Sequence, residues 1–114
     1  MRTNLNDRIF LFIRDVILFL RNMDDSVEMK IIKNQLIRSV SSTGANYEEA
    51  QGAASRADFS NKVRLCLKEI RETNFWLRLI NSLQKTQNPD IELLINESEE
   101  LKKIFGTIAT KTKK

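Results

Sequence analysis

The chain has 114 residues and a formal net charge of +4 at pH 7. This length suits one domain with one core, and the mildly basic charge permits nucleic-acid binding without requiring it. Three glycines, one proline and abundant Leu, Ile, Glu, Lys and Arg predict an all-α fold, because a β sandwich needs many more turn residues. The absence of histidine excludes Ser-His-Asp and Cys-His nucleophile systems and the histidine-based metal sites of helix bundles. The single cysteine, Cys66, has no disulfide or zinc partner within the chain and is expected to be a small core residue.

The first predicted helix covers about 5–22. Its apolar face is formed by Ile9, Ile13, Val16, Leu20 and Met23 and is widened by Phe10, Phe12, Ile17 and Phe19. A membrane span is not expected here, because Arg14 and Asp15 interrupt the apolar run and the run is too short for a bilayer of about 30 Å. No signal-peptide pattern follows it, so we expect a cytoplasmic protein.

Capping patterns mark the start of the next two helices. The second is predicted over about 26–54, with Asp25 as N-cap and Glu28 completing a capping box. The third is predicted over about 56–85 and begins with the capping-box pair Ser55 and Asp58. Its unbroken core stripe consists of Phe59, Val63, Cys66, Ile70, Thr73, Leu77 and Ile80.

The fourth helix is predicted over about 89–110, with Asn88 as N-cap and Pro89 at the first helical position. Its stripe consists of Ile91, Leu94, Leu101, Ile104 or Phe105, and Ile108. Short connections and the lack of a linker predict one domain over 1–114, folded as an antiparallel up-down four-helix bundle.

The segment SVSSTGANYEEA, residues 39–50, has the composition of a loop but the spacing of a helix. As a helix it would present small residues to the core and let a neighbouring helix approach closely. Gly44 argues against the helix, because Gly costs about 1 kcal/mol relative to Ala in a helix interior.

Asn46 would then enter the core and need a hydrogen-bond partner. We expect a structural polar cluster of Asn46, Glu69, Glu72 and Thr73 that fixes the helix register. The alternative is a carboxylate-based active or metal site, for which the sequence offers no convincing set of ligands.

Apolar residues outside the core stripes predict an interface between copies of the chain. On the first helix, Leu11 and Leu18 lie seven residues apart on the side opposite its main stripe. On the third helix, Leu65, Trp76 and Leu83 lie to one side of the core stripe. Single exposed leucines are common in monomers, so an ordinary surface is the alternative.

A basic stripe follows the third helix away from its core. Arg64, Lys68, Arg71, Phe75 and Arg78 are separated by four, three, four and three residues. Four cations around one aromatic ring can contact phosphates and stack on an unpaired base. We expect weak binding of RNA or DNA without marked sequence preference. The alternative is a solvated face on which Phe75 packs at a subunit contact.

The segment from Gln35 to Ile80 resembles the signature of a bacterial four-helix-bundle family first described from reading frames inside intervening sequences of 23S rRNA genes. Two motifs carry the resemblance, QLIRSVSSTGANYEEA and SRADFSNKVRLCLKEIRETNFWL. The matching residues are Gln35, Leu36, Arg38, Ser39, Gly44, Ala45, Asn46, Ala50, Asp58, Phe59, Lys62, Glu69, Glu72, Thr73, Trp76 and Leu77.

This resemblance implies that the second helix continues through Gly44 and that the chain forms a ring-shaped homopentamer. One branch of the family serves as the accessory variability protein of diversity-generating retroelements, in which a basic pentamer partners a reverse transcriptase and nucleic acid. Most members have no established activity. A closed ring of five copies requires a heterologous interface, which joins two different surfaces.

Three functions are therefore considered. The first is a non-enzymatic homopentameric scaffold that binds RNA, DNA or a nucleoprotein partner such as a reverse transcriptase through its basic outer face. The second is a protein-interaction or structural module of the 23S rRNA intervening-sequence type that does not bind nucleic acid. The third is an enzyme that uses Glu69 and Glu72. We expect no catalytic residues, no metal and no cofactor.

Overall fold

The computed structural model describes residues 4–112 and folds them into four α-helices. α1 spans Leu5–Arg21, α2 spans Val27–Gln51, α3 spans Arg56–Leu83 and α4 spans Pro89–Lys111. These residues contain no strand, which confirms the predicted all-α four-helix bundle. Among residues 4–112, no helix combines the length and the apolar character that a membrane span requires.

Each helix packs against two others, so the bundle has four corners. α1 and α3 both contact α2 and α4 and lie diagonally opposite each other. Antiparallel order follows from side chains that meet across the seams. Asn6 of α1 bonds to Gln51 of α2, and Lys62 of α3 pairs with Glu49 of α2.

The segment 39–50 is helical throughout, which confirms the interpretation from its spacing. Ser39 and Thr43 are buried, and their hydroxyls donate to carbonyls of the preceding helical turn. Gly44 faces α1, where an added Cβ would overlap the Cδ1 of Ile13. Small residues therefore let α2 approach both α1 and α3. The helix ends at Gln51 rather than near residue 54, with Gly52 as its C-cap.

The predicted cap of α2 is wrong by one residue. Ser26 is the N-cap, and its hydroxyl accepts a hydrogen bond from the Met29 amide at 3.3 Å. Asp25 instead pairs with Lys33 at 2.9 Å, and the same ammonium donates to the Met23 carbonyl. A cation about two helical turns inside α2 therefore pairs with the carboxylate that the capping box would have used.

The predicted caps of α3 and α4 are confirmed. The Ser55 hydroxyl accepts from the Asp58 amide at 3.0 Å, and Asp58 in turn accepts from the Ala54 amide at 3.2 Å. Asn88 accepts from the Asp90 amide at 2.9 Å, with Pro89 in the first turn. These bonds satisfy amides that have no partner within the helix.

Cys66 lies in the core, as predicted, and is fully buried. Its Sγ donates weakly to the Thr43 carbonyl oxygen at 3.5 Å. Burial raises the pKa of the Cys66 thiol to about 12. The thiol is therefore protonated at neutral pH and acts as a small apolar side chain.

Gly106→Ala is expected to stabilise the protein by up to about 1 kcal/mol, because Ala is the better helix former. A Cβ added at Gly106 would meet no atom within 4 Å. Urea denaturation measures the change. Gly44→Ala is the matched control, since Ile13 must move to admit its Cβ and the gain should be smaller. A destabilised Gly106→Ala variant would contradict the described position of this glycine.

Candidate nucleic-acid and subunit interfaces

The five residues of the predicted nucleic-acid stripe lie together on the exposed outer side of α3. We call this surface the α3 basic face; it consists of Arg64, Lys68, Arg71, Phe75 and Arg78. The uninterrupted helix keeps them at spacings of three and four, so all five point away from the core. Within residues 4–112 no carboxylate lies within 4.0 Å of a cation of this face. The cations therefore form no ion pair at that distance, although the carboxylates of Glu72 and Glu99 are near enough to attract Lys68 and Arg78.

A buried amide fixes one cation of this face. Asn74 is 3% exposed, and its Nδ2 donates to Ser98 Oγ at 2.8 Å and to Glu99 Oε2 at 2.9 Å across the α3–α4 seam. Its Oδ1 accepts from Arg78 Nε at 2.7 Å. Hydrogen bonds from Lys102 and Asn74 hold the pKa of the Glu99 carboxyl below its ordinary value.

The sequence interpretation missed this network, although two signals were present. Asn74 lies one helical turn before Arg78, a spacing that brings the two side chains together. Ser98 completes the spacing of the core stripe of α4 between Leu94 and Leu101. A polar residue at a core position needs a buried partner, and the amide of α3 supplies one.

A second chain of contacts fixes the aromatic ring of the basic face. Phe75 packs edge to face on Trp76, with ring centroids 4.9 Å apart. Trp76 Nε1 donates to Glu72 Oε2 at 3.1 Å, and the Arg38 guanidinium pairs with both Glu72 and Glu69. Partial burial raises the pKa of Glu72, but hydrogen bonds from Trp76 and Arg38 outweigh it and hold that pKa below its ordinary value.

The predicted cluster of Asn46, Glu69, Glu72 and Thr73 does not form, because the two carboxylates pair with Arg38 and not with Thr73. Asn46 Nδ2 donates to the Ser42 carbonyl of its own helix at 2.9 Å. Ser39 takes the expected place, with its Oγ 2.9 Å from Thr73 Oγ1. The Thr73 Oγ1 also lies 2.9 Å from the Glu69 carbonyl oxygen, and its single hydrogen serves one of these two acceptors. An acceptor one turn back satisfies the Asn46 amide locally, so it needs no partner across the seam.

The predicted interface residues are placed on two sides of the molecule. Leu11, Leu18, Leu65 and Leu83 are exposed, whereas Trp76 is half-buried and packs against the core. The exposed leucines are available for contact with another molecule. Their role in self-association stays a prediction.

An apolar groove runs between α1 and α2 and has a volume of about 600 Å³. Ile13, Ile17 and Leu18 form one side, while Gly44 and Ala45 face them from α2. Phe10 also lines it and is 70% exposed, so its predicted place on the core face of the first helix is wrong. We call this surface the α1–α2 groove. The small residues of α2 leave this space beside the bulky side chains of α1.

A second apolar surface lies at one end of the α2–α3 seam. Ion pairs such as Arg38–Glu72 set the antiparallel register of these helices, which places the first turns of α2 beside the last turns of α3. Val27 and Ile31 of α2 are 78% and 59% exposed, and Leu83 of α3 is 50% exposed. We call this surface, consisting of Val27, Ile31 and Leu83, the α2–α3 apolar edge. The chain thus exposes two different apolar surfaces, one on each side of α2.

Comparison with known proteins supports the resemblance of the two motifs. The family model for the 23S rRNA-intervening sequence protein matches residues 5–107. A crystal structure of a protein with unknown function from the S23 ribosomal protein family of Bacteroides thetaiotaomicron is similar to this chain. The two share 31% sequence identity with a TM-score of 0.81, over 93% of this chain and 98% of the other. Curated protein sequences contain no match to the chain. By its family match and its four-helix structure, the chain belongs to the 23S rRNA-intervening sequence protein family.

Proposed function

We propose that the protein is a non-enzymatic homopentameric scaffold that binds nucleic acid, or a nucleoprotein partner, through the α3 basic face. The observation that carries this proposal is the set of four cations on one exposed helix face without a carboxylate within 4.0 Å among the described residues. Cations in this arrangement bind phosphates and release the counterions condensed around a nucleic acid, which favours association at low salt.

The two apolar surfaces support the oligomeric part of the proposal. A ring requires a heterologous interface, in which one surface of each copy meets a different surface of the next. The α1–α2 groove and the α2–α3 apolar edge are two such surfaces, and neither includes a residue of the α3 basic face. Five copies of a chain with net charge +4 carry about +20, which strengthens non-specific attraction to nucleic acid.

Of the two carboxylates considered for catalysis, Glu72 has hydrogen-bonded structural partners, which supports a binding function. Glu69 Oε1 is buried without a hydrogen bond among the described residues and has only the ion pair with Arg38. Glu72 accepts from Trp76 and pairs with Arg38, and the same guanidinium lies 3.5 Å from Glu69. These contacts join α2 to α3. A general acid or base must instead reach a substrate in a cleft.

A protein-interaction module without nucleic-acid binding is the second candidate function. The exposed apolar groove favours it, because large exposed apolar surfaces mark sites of protein association. Under this function the protein would associate through its apolar surfaces, and the cations of α3 would remain solvated. A reverse transcriptase is the protein partner proposed from the retroelement branch of the family.

Mass in solution and salt-dependent strand binding together test the proposed function. Analytical ultracentrifugation is expected to show a pentamer of about 67 kDa, five times the chain mass of 13.3 kDa. Fluorescence anisotropy with a labelled single strand should show binding that weakens steeply as salt increases. A monomer would contradict the scaffold. A pentamer that binds no strand at low salt would favour the protein-interaction module.

A further inference from the structure

We propose that Phe75 stacks on an unpaired base of a single-stranded nucleic acid, with Trp76 and Asn74 as positioning residues for this contact. The inference rests on the proposed function and names its substrate class, single strands rather than duplexes. It also gives different roles to neighbouring residues, since the ring contacts a base and the cations contact phosphates.

The surroundings of Phe75 fit a nucleobase better than an apolar protein surface. The ring is 47% exposed, and Arg71 and Arg78 lie one helical turn before and after it. An apolar protein surface would have to desolvate these cations without supplying anions. A single strand supplies both a flat ring for stacking and phosphates for the guanidinium groups.

The ring and one guanidinium are held in place before any ligand binds. Trp76 packs on Phe75 with an interplanar angle of 73°, and Glu72 fixes the indole of Trp76. Asn74 holds Arg78 through Nε, and no described side chain accepts from its terminal amino groups. A ligand therefore meets side chains whose rotamers are already restricted, which reduces the entropic cost of binding.

The exposed part of the Phe75 ring also distinguishes single strands from duplexes. In a duplex each base is stacked and paired, so a surface aromatic ring finds no free base without unstacking one. In a single strand every base presents a π-face, and stacking tolerates all sequences. Binding to duplexes would use only the cations of the face.

The test measures binding of a thymidine oligonucleotide, and of a duplex of equal length, to the full chain at low salt. Phe75→Leu is expected to weaken strand binding roughly 5- to 150-fold, the range measured for loss of one base–aromatic stack. Phe75→Tyr should restore near wild-type binding, and duplex binding should not respond to either change. Leu93→Ala is the matched control, since it truncates an exposed apolar side chain outside the basic face and outside both proposed subunit surfaces.

Trp76, the only tryptophan of the chain, reports the contact directly. Its fluorescence should fall as the strand is added to the wild-type protein and stay unchanged with polyglutamate, an anion without bases. If Phe75→Leu binds the strand as tightly as wild type, or if strand and polyglutamate act alike on Trp76, stacking is refuted while salt-dependent binding still stands. Loss of all strand binding in the wild type would refute the proposed function itself.

Discussion

Leu101→Ala is expected to lower the free energy of unfolding by about 2–5 kcal/mol, whereas Leu93→Ala should change it by no more than about 0.5 kcal/mol. Both substitutions remove the same atoms from the same helix. Leu101 is fully buried and Leu93 is 66% exposed, so only the first change leaves a cavity in the core. Where the loss in free energy of unfolding falls within this range depends on how far the neighbouring side chains can collapse into the cavity.

Urea denaturation at one fixed protein concentration measures this difference, because the stability of an oligomer depends on its concentration. Circular dichroism at 222 nm follows all four helices together. The two variants should differ in midpoint and agree in slope. Equal midpoints for both variants would contradict the described orientation of α4, since they would place both leucines in similar surroundings.

Much of the fold was predictable because local rules and the packing agree in α3 and α4. The stripe of α3 repeats at helical spacing over its whole length, and its members from Val63 to Ile80 are buried. Ser55 and Asn88 occur directly before apolar stripes, where an oxygen acceptor is needed for the first amides. In these two helices, residues that are close in sequence determine where the helix begins and which side chains are buried.

The errors occur where two acceptable partners compete. Asp25 can cap α2 or pair with Lys33, and the structure shows the ion pair. Asn46 can bond across the seam or to the preceding turn, and it bonds to the preceding turn. The sequence indicates that each group needs a partner, but the choice depends on distances set by the packed helices.

The α1–α2 groove depends on tertiary geometry in a different way. Helical spacing places the apolar side chain of Phe10 near the core face of α1. Spacing alone does not show how α1 is rotated against α2. Ile13, and not Phe10, is the α1 side chain that packs against Gly44. Phe10 therefore lies at the open side of the groove. The candidate nucleic-acid face was easier to identify, since all its residues belong to one helix and need no neighbour to define them.

Charge reversal on the α3 basic face is expected to have the largest effect on function. Arg64→Glu with Arg71→Glu changes two exposed side chains that have no carboxylate within 4.0 Å among the described residues, so the fold should be retained. Each phosphate contact to a single strand contributes about 0.7 to the slope of log affinity against log salt. Loss of two contacts should therefore reduce the slope by about 1.4 per bound subunit and weaken binding more than about tenfold at low salt.

The matched control is Lys30→Glu with Lys103→Glu, which makes the same change in net charge at exposed residues of α2 and α4. Anisotropy titrations of one labelled single strand, repeated over a series of salt concentrations, compare the two double variants with wild type. If the nucleic acid lies along α3, the Arg64 and Arg71 variant loses affinity and slope, while the control stays close to wild type. Equal losses in the two variants, or none in either, would contradict the assignment of nucleic-acid binding to this face.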